Sequence, residues 1–437
     1  MKPVNIAANR PVPNSSPAAG TGFRTQAVPR PGTQDRYPLL RKGGLTPRIG
    51  AFTQAAFVGW AIALLVMIIR ILRLTHRGTT FGCFIDAGHH WRNGEPIYIH
   101  RSGMGFVYSP LFAAYFAIYS FLPLWAGKIL WLLTNVGLLV GGTWSAMWAG
   151  VFRIPSDRAR ALVLILLLPL SLANLDVAQS NSALIGLLLF AVALASRERW
   201  MLSAVAICIA TYLKIYPLVF GLVLCVYEPR KVPWRLAVAL SGFGSLSLFL
   251  QRPQYVLAQY HGWVTTRVAD DRRLNSMAHA PLDLWFLLVR LGHLPISEHF
   301  YVALQILSGV AIGVFCAFVS RARWPRERVL AGIFLLCSCW VILLGPATES
   351  YTFAILAPAV CLGTVTAFTG AASAMARALA GLAISMLLAA QIRNSFSPGW
   401  HSVLIDGLRP AGAFLFLCYA ILWLRDDTMW KQGQLPA

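Results

Sequence analysis

The chain is dominated by long apolar runs that recur from Ala51 almost to Trp423, with little polar sequence between them. A helix needs about 20 apolar residues to cross the hydrocarbon core of a bilayer. After the first run, others begin near residues 108, 127, 161, 181, 200, 215, 234, 300, 329, 351, 378 and 409. The pattern predicts an all-α polytopic membrane protein with about 11 to 13 transmembrane helices.

The composition agrees with a membrane protein and argues against nucleic-acid binding. Only 12% of the residues are charged, whereas soluble domains carry about 25%. The net charge of +21 comes from arginines at the ends of apolar runs, where they set orientation and meet anionic headgroups. All cysteines except Cys83 lie in apolar runs, and no spacing fits zinc. We therefore expect membrane lipids as partners, and no nucleic acid, metal or cofactor.

The apolar runs divide the chain into three parts. Residues 1–48 are rich in Pro, Ser and Gly, which predicts a disordered basic N-terminal tail. Residues 49–425 form one predicted transmembrane domain, and 426–437 a short C-terminal tail. The arginines that precede the first helix place its N-terminus in the cytoplasm. The apolar run starts too late for a cleaved signal peptide, so we expect this helix to remain as an anchor.

The basic clusters between later runs predict more cytoplasmic loops. They lie at residues 153–160, 197–199, 230–235 and 321–328. Because both flanks of the membrane domain are basic, the number of crossings must be even, and one run must be incomplete. We choose 108–124, which is short, aromatic and closed by proline, as a segment that enters the membrane without crossing it. The segment 281–292 is also too short to cross.

With this topology, the polar loops gather on the non-cytoplasmic face of a multi-pass protein of the inner cell membrane. They comprise residues 74–107, 174–181, the turn near Lys214, 251–299, 345–351 and 392–408. Polar loops that converge beside lipid predict a site open to both lipid and the outer aqueous phase.

Asp86 in the first of these loops is a candidate general base. It stands among apolar and aromatic residues, and partial desolvation suits a carboxylate to accept a proton from an alcohol. The alternative is that Asp86 caps a helix or pairs with Arg92. The neighbouring His89 and His90 point about 100° apart on a helix, so they are poor joint metal ligands.

The second outer loop, NLDVAQSNSAL, offers amide side chains. Gln179 and Asn181 both donate and accept hydrogen bonds, which suits sugar hydroxyls. The alternative is that they are solvated helix caps. Lys214, in TYLKIYPLVF, interrupts an apolar stretch, where it either neutralises a lipid phosphate or extends to the membrane interface.

Two later loops add charged candidates. The loop 251–280 holds Tyr260, His261, Arg267, Asp270, Asp271, Arg272, Arg273, Asn275 and His279. Arginines suit phosphate through paired donors, although the acids of this loop could satisfy its bases. Glu349 follows Pro346 and opens a helix, where an acid is stabilised by the helix dipole. It is either a cap or a functional acid.

Four segments resemble, in order, motifs of the polyprenyl-phosphate-dependent glycosyltransferases of family 87. They are FIDAGHHWRNGEPIY followed by YSPLF, then AQSN, LKIYPL and GPATESYTFAILAPA. The resemblance implies a GT-C type fold and transfer of mannose, or another hexose or pentose, from a polyprenyl-phosphate donor. The acceptor would be lipid- or glycan-linked, and the configuration at the sugar would invert.

The resemblance also implies roles for single residues. A first-loop acid acts as general base, which points to Asp86, with Glu349 as a second acidic candidate. The residues that face the donor phosphate are Lys214, Arg272 and Arg273. The residues that bind sugar or acceptor are Gln179, Asn181, Tyr108 and Tyr351.

The first loop departs from the family pattern. When Gly94 and Tyr98 are aligned with the family's Gly and Tyr, Thr80 occupies the position of the family's usual acid. Either Asp86, six residues later, has taken over the role, or activity is altered or lost. Milder changes are Ala178 for the Gly of GQxN and Ser109 for the first Pro of YPP.

Two other functions remain open. One is a secondary transporter or flippase, and the other is a catalytically inactive GT-C-like scaffold. Transporters favour polar or broken helices at mid-membrane in matched halves. Here polarity gathers on one face, which favours the enzyme.

Overall fold

The structure is a computed structural model that describes residues 49–74, 79–98, 105–270, 272–273, 275–277, 280–322, 324–345, 348–396 and 403–426. The predicted tails lie outside these residues, apart from Asp426, and so do Asp271, His279 and Pro346. The described residues fold into α-helices with no β-strand, which confirms the predicted all-α polytopic class.

The helices are numbered in chain order. They are α1 (Ala51–Arg73), α2 (Thr80–Asn93), α3 (Pro110–Tyr119), α4 (Leu124–Trp148), α5 (Asp157–Asp176), α6 (Asn181–Ser196), α7 (Trp200–Leu213), α8 (Leu218–Tyr227), α9 (Pro233–Leu250), α10 (Pro253–Ala269), α11 (Glu298–Arg321), α12 (Arg326–Leu343), α13 (Ala357–Thr369), α14 (Ala374–Phe396) and α15 (Val403–Arg425). A π-helical turn, Phe286–Leu291, precedes α11, and a 3₁₀ helix, Ser350–Ile355, precedes α13.

Contacts between helix termini define two ends of the bundle. At one end, which we call the basic end, Asp157 at the start of α5 accepts the backbone N–H of Phe52 in α1 at 3.0 Å. Arg326 at the start of α12 pairs there with Glu198, which precedes α7, at 2.6 Å. At the opposite end, Arg70 in the last turn of α1 lies 3.2 Å from Asp176, the last residue of α5. This opposite end encloses a cavity, and we call it the cavity end.

The first and last helices have their outer termini at the same end. Arg328, near the start of α12, donates to the carbonyl of Leu424 in the last turn of α15 at 2.7 Å, so α15 ends at the basic end, where α1 begins. This placement agrees with the basic flanks of the sequence. Among the described residues, seven helices are long and apolar enough to cross a membrane by length and composition, namely α1, α4, α5, α9, α11, α14 and α15.

α2 and α3 stay at the cavity end. α3 has 10 residues and is therefore about 15 Å long, half the thickness of a bilayer core. Ser120, which follows α3, accepts a hydrogen bond from Arg92 of α2 at 3.2 Å. The segment 108–124 thus does not cross, as predicted, and the π-helical turn within 281–292 is likewise too short.

The prediction that 251–280 is a loop was wrong for its first half. Residues Pro253–Ala269 form α10, which begins with proline at its first position. Its Val256 and Gln259 are buried, whereas Val264 and Val268 are exposed. A helix of mixed polarity with one buried face gives no continuous apolar run, so the hydropathy pattern did not reveal it.

Small residues hold the helices beneath the cavity in close contact. A Cβ atom added at Gly142 of α4 would collide with the backbone of Gly186 in α6, and one added at Gly186 would collide with the backbone of Leu138 in α4. Glycines permit such close backbone approach between membrane helices. The contact fixes the start of α6, which carries Asn181, against α4.

Candidate active site

A cavity of about 390 Å³ opens at the cavity end, between the first polar segment, α10 and the turns that follow α5, α7 and α12. It brings together residues from motifs that are far apart in sequence. Six of the residues predicted for the site line it: Asp86, Tyr108, Gln179, Lys214, Arg272 and Glu349. Thr80 also lines it.

α2 presents Asp86 to the cavity. The helix starts at Thr80, whose backbone N–H donates to the carbonyl of Val177 at 3.1 Å, and it stops at Gly94, which adopts a left-handed φ of 72°. Asp86 is exposed, and its carboxylate has no hydrogen-bond or ion-pair partner within the described segments. Arg92 does not pair with it, since its guanidinium lies 4.9 Å from the centre of the Phe121 ring.

Thr80 and Asp86 occupy different levels of the same helix. Six residues of α-helix correspond to about 9 Å along the axis. Thr80 lies next to the turn that carries Gln179, whereas Asp86 lies farther along the cavity wall. The family's acid position and the acid that this chain offers therefore reach different parts of the same cavity.

The turn after α5 explains the glycine of the family motif GQxN. Ala178 stands at that position with φ 57°, a left-handed conformation that costs a non-glycine residue about 1–2 kcal/mol. Trp131 of α4 donates to the Ala178 carbonyl at 2.9 Å. The next residue, Gln179, accepts a hydrogen bond from the Tyr108 hydroxyl at 3.0 Å, so these two side chains form one hydrogen-bonded wall of the cavity.

Lys214 lies in the turn between α7 and α8. Its Nζ donates to Asn181 Oδ1 at 2.8 Å and lies 5.6 Å from the centre of the Tyr108 ring. Asn181 is fully buried and donates through Nδ2 to the carbonyl of Tyr351 at 3.0 Å. Asn181 and Tyr351 are not among the residues that line the cavity, and Asn181 instead orients Lys214.

Burial makes the charge of Lys214 sensitive to its surroundings. Desolvation lowers its pKa to about 8, with Glu349 opposing and Arg267 and Arg272 reinforcing the shift. The ammonium is therefore mostly protonated at neutral pH, but its hydrogen-bond acceptor is a neutral amide. An anion in the cavity would stabilise the charged form.

A chain of ion pairs forms the opposite wall. Arg272 contacts Asp270 through Nε at 2.6 Å and Glu349 through a terminal nitrogen at 2.6 Å. Arg267 contacts the other oxygen of Asp270 at 2.8 Å. The network places two guanidinium groups in the cavity, both of which are already held by carboxylates.

Glu349 is both a helix cap and part of this network. Its side chain accepts from the backbone N–H of Thr352, and the Thr352 hydroxyl accepts from the Glu349 N–H at 3.1 Å, which forms a capping box. The cap that the sequence suggested is therefore present. With Arg272 also bound, the Glu349 carboxylate has few acceptor positions left for an incoming hydroxyl.

The remaining predicted residues lie elsewhere. Arg273 lies 3.8 Å from Glu298 at the start of α11 and is not among the cavity-lining residues. His90 lines the cavity, with its Nε2 3.7 Å from Glu95, whereas His89 does not. Within the described segments, no three His, Cys, Asp or Glu side chains are grouped as a metal site.

Arg267 and Asp270 line the cavity, whereas the sequence indicated them only as charged residues of loop 251–280, without a specific role. Their spacing, Arg three residues before Asp, forms an ion pair on a helix, and α10 continues to Ala269. Recognising that helix would have placed the two side chains next to each other. Treating the segment as a loop concealed the pair.

Two neutral groups complete the lining. Burial, reinforced by the charge of Asp86, raises the pKa of the Cys83 thiol to about 11. Burial also raises the pKa of the Tyr108 hydroxyl. Both groups therefore stay protonated near neutral pH, which disfavours Cys83 as a thiolate nucleophile and keeps Tyr108 a hydrogen-bond donor.

Comparison with known proteins identifies the family. The sequence profile of glycosyltransferase family 87 matches residues 106–346, more than half of the chain. The chain belongs to glycosyltransferase family 87. Family 87 membership favours a transferase over a secondary transporter. The match begins at residue 106, so the part of this family 87 chain that carries Thr80 and Asp86 lies before it.

No curated protein matches the chain. Among solved structures, the family 87 chain is similar to ArnT from Cupriavidus metallidurans bound to undecaprenyl phosphate, with 15% identity, a TM-score of 0.36, and coverage of 85% of this chain and 77% of that chain. It is also similar to the apo state of ArnT, with 12% identity, a TM-score of 0.33, and coverage of 84% and 77%.

Proposed function

We propose that the chain transfers a sugar from a polyprenyl-phosphate donor to a hydroxyl of a lipid- or glycan-linked acceptor in this cavity. The observation that carries the proposal is the meeting of Lys214, Arg267 and Arg272 with Asp86, whose carboxylate has no partner among the described residues, at one end of a family 87 membrane bundle. Cations suit the donor phosphate, and a free carboxylate suits the acceptor hydroxyl.

Lys214 is the principal phosphate ligand in this proposal. Among the described residues its hydrogen-bond partner is the neutral Asn181, so a phosphate oxygen would add a short-range anionic contact. Arg267 and Arg272 are held by Asp270 and Glu349, which fixes their positions before the donor arrives. Such pre-organised cations stabilise the charge that develops on the leaving phosphate. Arg273 is left out because it does not line the cavity and lies beside Glu298 instead.

Asp86 is the proposed general base. The acceptor O–H gives its proton to the Asp86 carboxylate while its oxygen forms a bond to the anomeric carbon. The bond from that carbon to the phosphate oxygen breaks, and polyprenyl phosphate leaves with the electron pair. Attack opposite to the leaving group inverts the configuration. Glu349 is the weaker candidate because Arg272 and Thr352 already occupy its oxygens.

The sugar or acceptor would contact Gln179 and Tyr108, which line the cavity as a hydrogen-bonded pair. Asn181 and Tyr351 would act indirectly, because Asn181 bridges Lys214 and the Tyr351 carbonyl. In this proposal the basic end faces the cytoplasm, following the distribution of Lys and Arg, and the cavity opens on the non-cytoplasmic side of the cell membrane.

The first test is a transfer assay in membranes with labelled polyprenyl-phosphate mannose and labelled polyprenyl-phosphate pentose. The native chain should release polyprenyl phosphate and label an acceptor with one of them. Asp86→Asn should lower the rate of transfer about 100-fold or more, because general-base catalysis contributes about 10²–10⁴-fold. Glu349→Gln should lower it less. Equal transfer by native chain and Asp86→Asn would remove Asp86 from the mechanism.

The departure at Thr80 can be tested in the same assay. If Asp86 has replaced the family's acid, Thr80→Asp in the Asp86→Asn background should restore only a small part of the lost transfer. A native chain without turnover that becomes active through Thr80→Asp would show an inactive scaffold whose site is otherwise intact. Thr79→Asp is the control for both outcomes, because it introduces an acid one residue away on the same cavity wall.

A further inference from the structure

A second concave site lies on the membrane-facing side of the bundle. It is a groove of about 490 Å³ over α12, with α11 on one side and α15 on the other, and we call it the α12 groove. Its lining is almost entirely apolar and includes Ala311, Phe315, Leu336, Cys339 and Ile421. Water gains few hydrogen bonds there, so in a membrane a hydrocarbon chain is the expected filling.

Toward the cavity end, the α12 groove is lined by Trp340, Leu343 and Leu344. Trp340 lines it and donates through Nε1 to Ser308 Oγ at 3.0 Å, and the same nitrogen lies 3.2 Å from the Gln305 carbonyl. On α11 the lining residues run from Ser308 to Phe318, which is about 15 Å along the helix axis. This length is about half of a hydrocarbon core that is about 30 Å thick, so the groove fits an acyl chain from one leaflet.

The open end of the groove lies at the basic end and is positively charged. Trp324 and Arg425 line it, and the exposed Arg321 ends α11. The Arg328 guanidinium stacks 3.8 Å from the centre of the Trp324 ring. Arg328 is buried and donates to the Leu424 carbonyl at 2.7 Å, so Arg321 and Arg425 are the two exposed arginines described at this mouth. Tryptophan and arginine together are typical of the level of lipid headgroups.

We propose that the α12 groove binds an anionic phospholipid of the leaflet at the basic end. The acyl chain lies along Phe315, Leu336 and Ile421, and the headgroup phosphate lies between Arg321 and Arg425. Basic residues near a membrane surface favour anionic over zwitterionic lipid. The site lies at the opposite end from the cavity and takes no part in sugar transfer, so it is independent of the proposed function.

Native mass spectrometry of the purified full chain tests the proposal. Phosphatidylglycerol should remain bound about 30-fold more strongly than phosphatidylcholine, because each of the two exposed arginines contributes about fivefold. Ala311→Trp should displace the lipid by filling the groove. Arg321→Gln combined with Arg425→Gln should abolish the preference for phosphatidylglycerol and leave the groove open.

Matched controls separate this site from lipid bound elsewhere. Ile165→Trp alters an apolar residue on α5 that is 53% exposed, and Arg158→Gln removes an exposed arginine of the basic end outside the groove. Both should keep the bound phosphatidylglycerol. Equal retention of the two lipids, or equal loss in the controls, would overturn the proposal. So would a dimer that Ala311→Trp converts to a monomer, since a second copy would then fill the groove.

Discussion

The two ends of the bundle use charged residues differently. At the basic end, Arg326 pairs with Glu198 at 2.6 Å and Asp157 binds the start of α1, and both contacts tie helices together. At the cavity end, Arg272 also bridges two carboxylates. However, Lys214 has only a neutral hydrogen-bond acceptor and Asp86 has no partner in the described segments.

This difference separates structural charges from functional ones. A buried cation without an anionic partner is unfavourable unless something else neutralises it. For Arg326 and Asp157 at the basic end, the protein itself supplies the partner. At the cavity end, Lys214 donates to a neutral amide and to no carboxylate among the described residues. This arrangement is expected where an anionic substrate binds.

Removing one cation at the cavity end should lower activity and spare stability, whereas removing one at the basic end should do the reverse. We predict that Lys214→Met lowers kcat/KM for the donor about 100-fold, the magnitude for loss of one group that stabilises developing charge. Its melting temperature should stay close to that of the native chain, because burying the lysine opposes folding. Transfer assays and thermal unfolding in the same detergent measure both effects.

Arg326→Gln is the counterpart at the basic end. It should keep kcat/KM within about twofold and lower the free energy of unfolding by about 1 kcal/mol, the upper range for an ion pair whose acid is largely exposed. If instead Lys214→Met lost stability and kept its transfer rate, the distinction between the ends would be wrong.

The second prediction concerns pH. Because burial lowers the pKa of Lys214 to about 8, the ammonium is present below that pH and is lost above it. The KM for the donor should therefore rise about tenfold between pH 7 and pH 9. Steady-state kinetics across this range measure the effect. In Lys214→Arg the rise should disappear, since a guanidinium stays charged, and a rise that persists in this variant would assign the titration to another group.

Asn181→Ala should have a smaller effect. It removes the acceptor that orients Lys214 and the donor to the Tyr351 carbonyl, and one hydrogen bond contributes about 1 kcal/mol, or about fivefold. We predict a fivefold rise in the KM for the donor with kcat little changed, together with a shifted midpoint of the pH profile. A kcat effect without a shift in the pH profile would indicate direct contact with the sugar.

The smallest predicted change is at the strained turn of the cavity end. Ala178→Gly should raise the free energy of unfolding by about 1 kcal/mol, because glycine adopts the left-handed φ of 57° without strain. Transfer activity should not change. Ala178→Val serves as the control and should destabilise the protein. Chemical or thermal unfolding decides between strain relief and loss of the alanine methyl contacts.

Hydropathy and charge were sufficient to predict much of the fold. The apolar runs predicted the long helices, and the basic flanks required the first and last helices to have their outer termini at one end, as the structure has them. The run 108–124 could be excluded from the crossing segments because it is too short to span a bilayer as one helix. These features depend on sequence-local chemistry, which a single chain displays directly.

The site was less accessible from sequence. α10 was missed because its polarity is mixed, and with it the pairing of Arg267 and Asp270. Asn181 looked like a sugar ligand, yet it is buried and orients Lys214. Which amide faces a cavity and which faces another side chain depends on the packing of distant helices, and motif spacing does not contain that information.

The most direct test of the central claim is photo-crosslinking with a polyprenyl-phosphate sugar that carries a diazirine next to the phosphate. Mass spectrometry of the cross-linked chain should place the label within residues 79–90, 214–216 or 263–272, and unlabelled donor should compete for it. Label confined to the basic end or to the α12 groove, or label that unlabelled donor does not displace, would contradict the assignment of the cavity as the site of transfer.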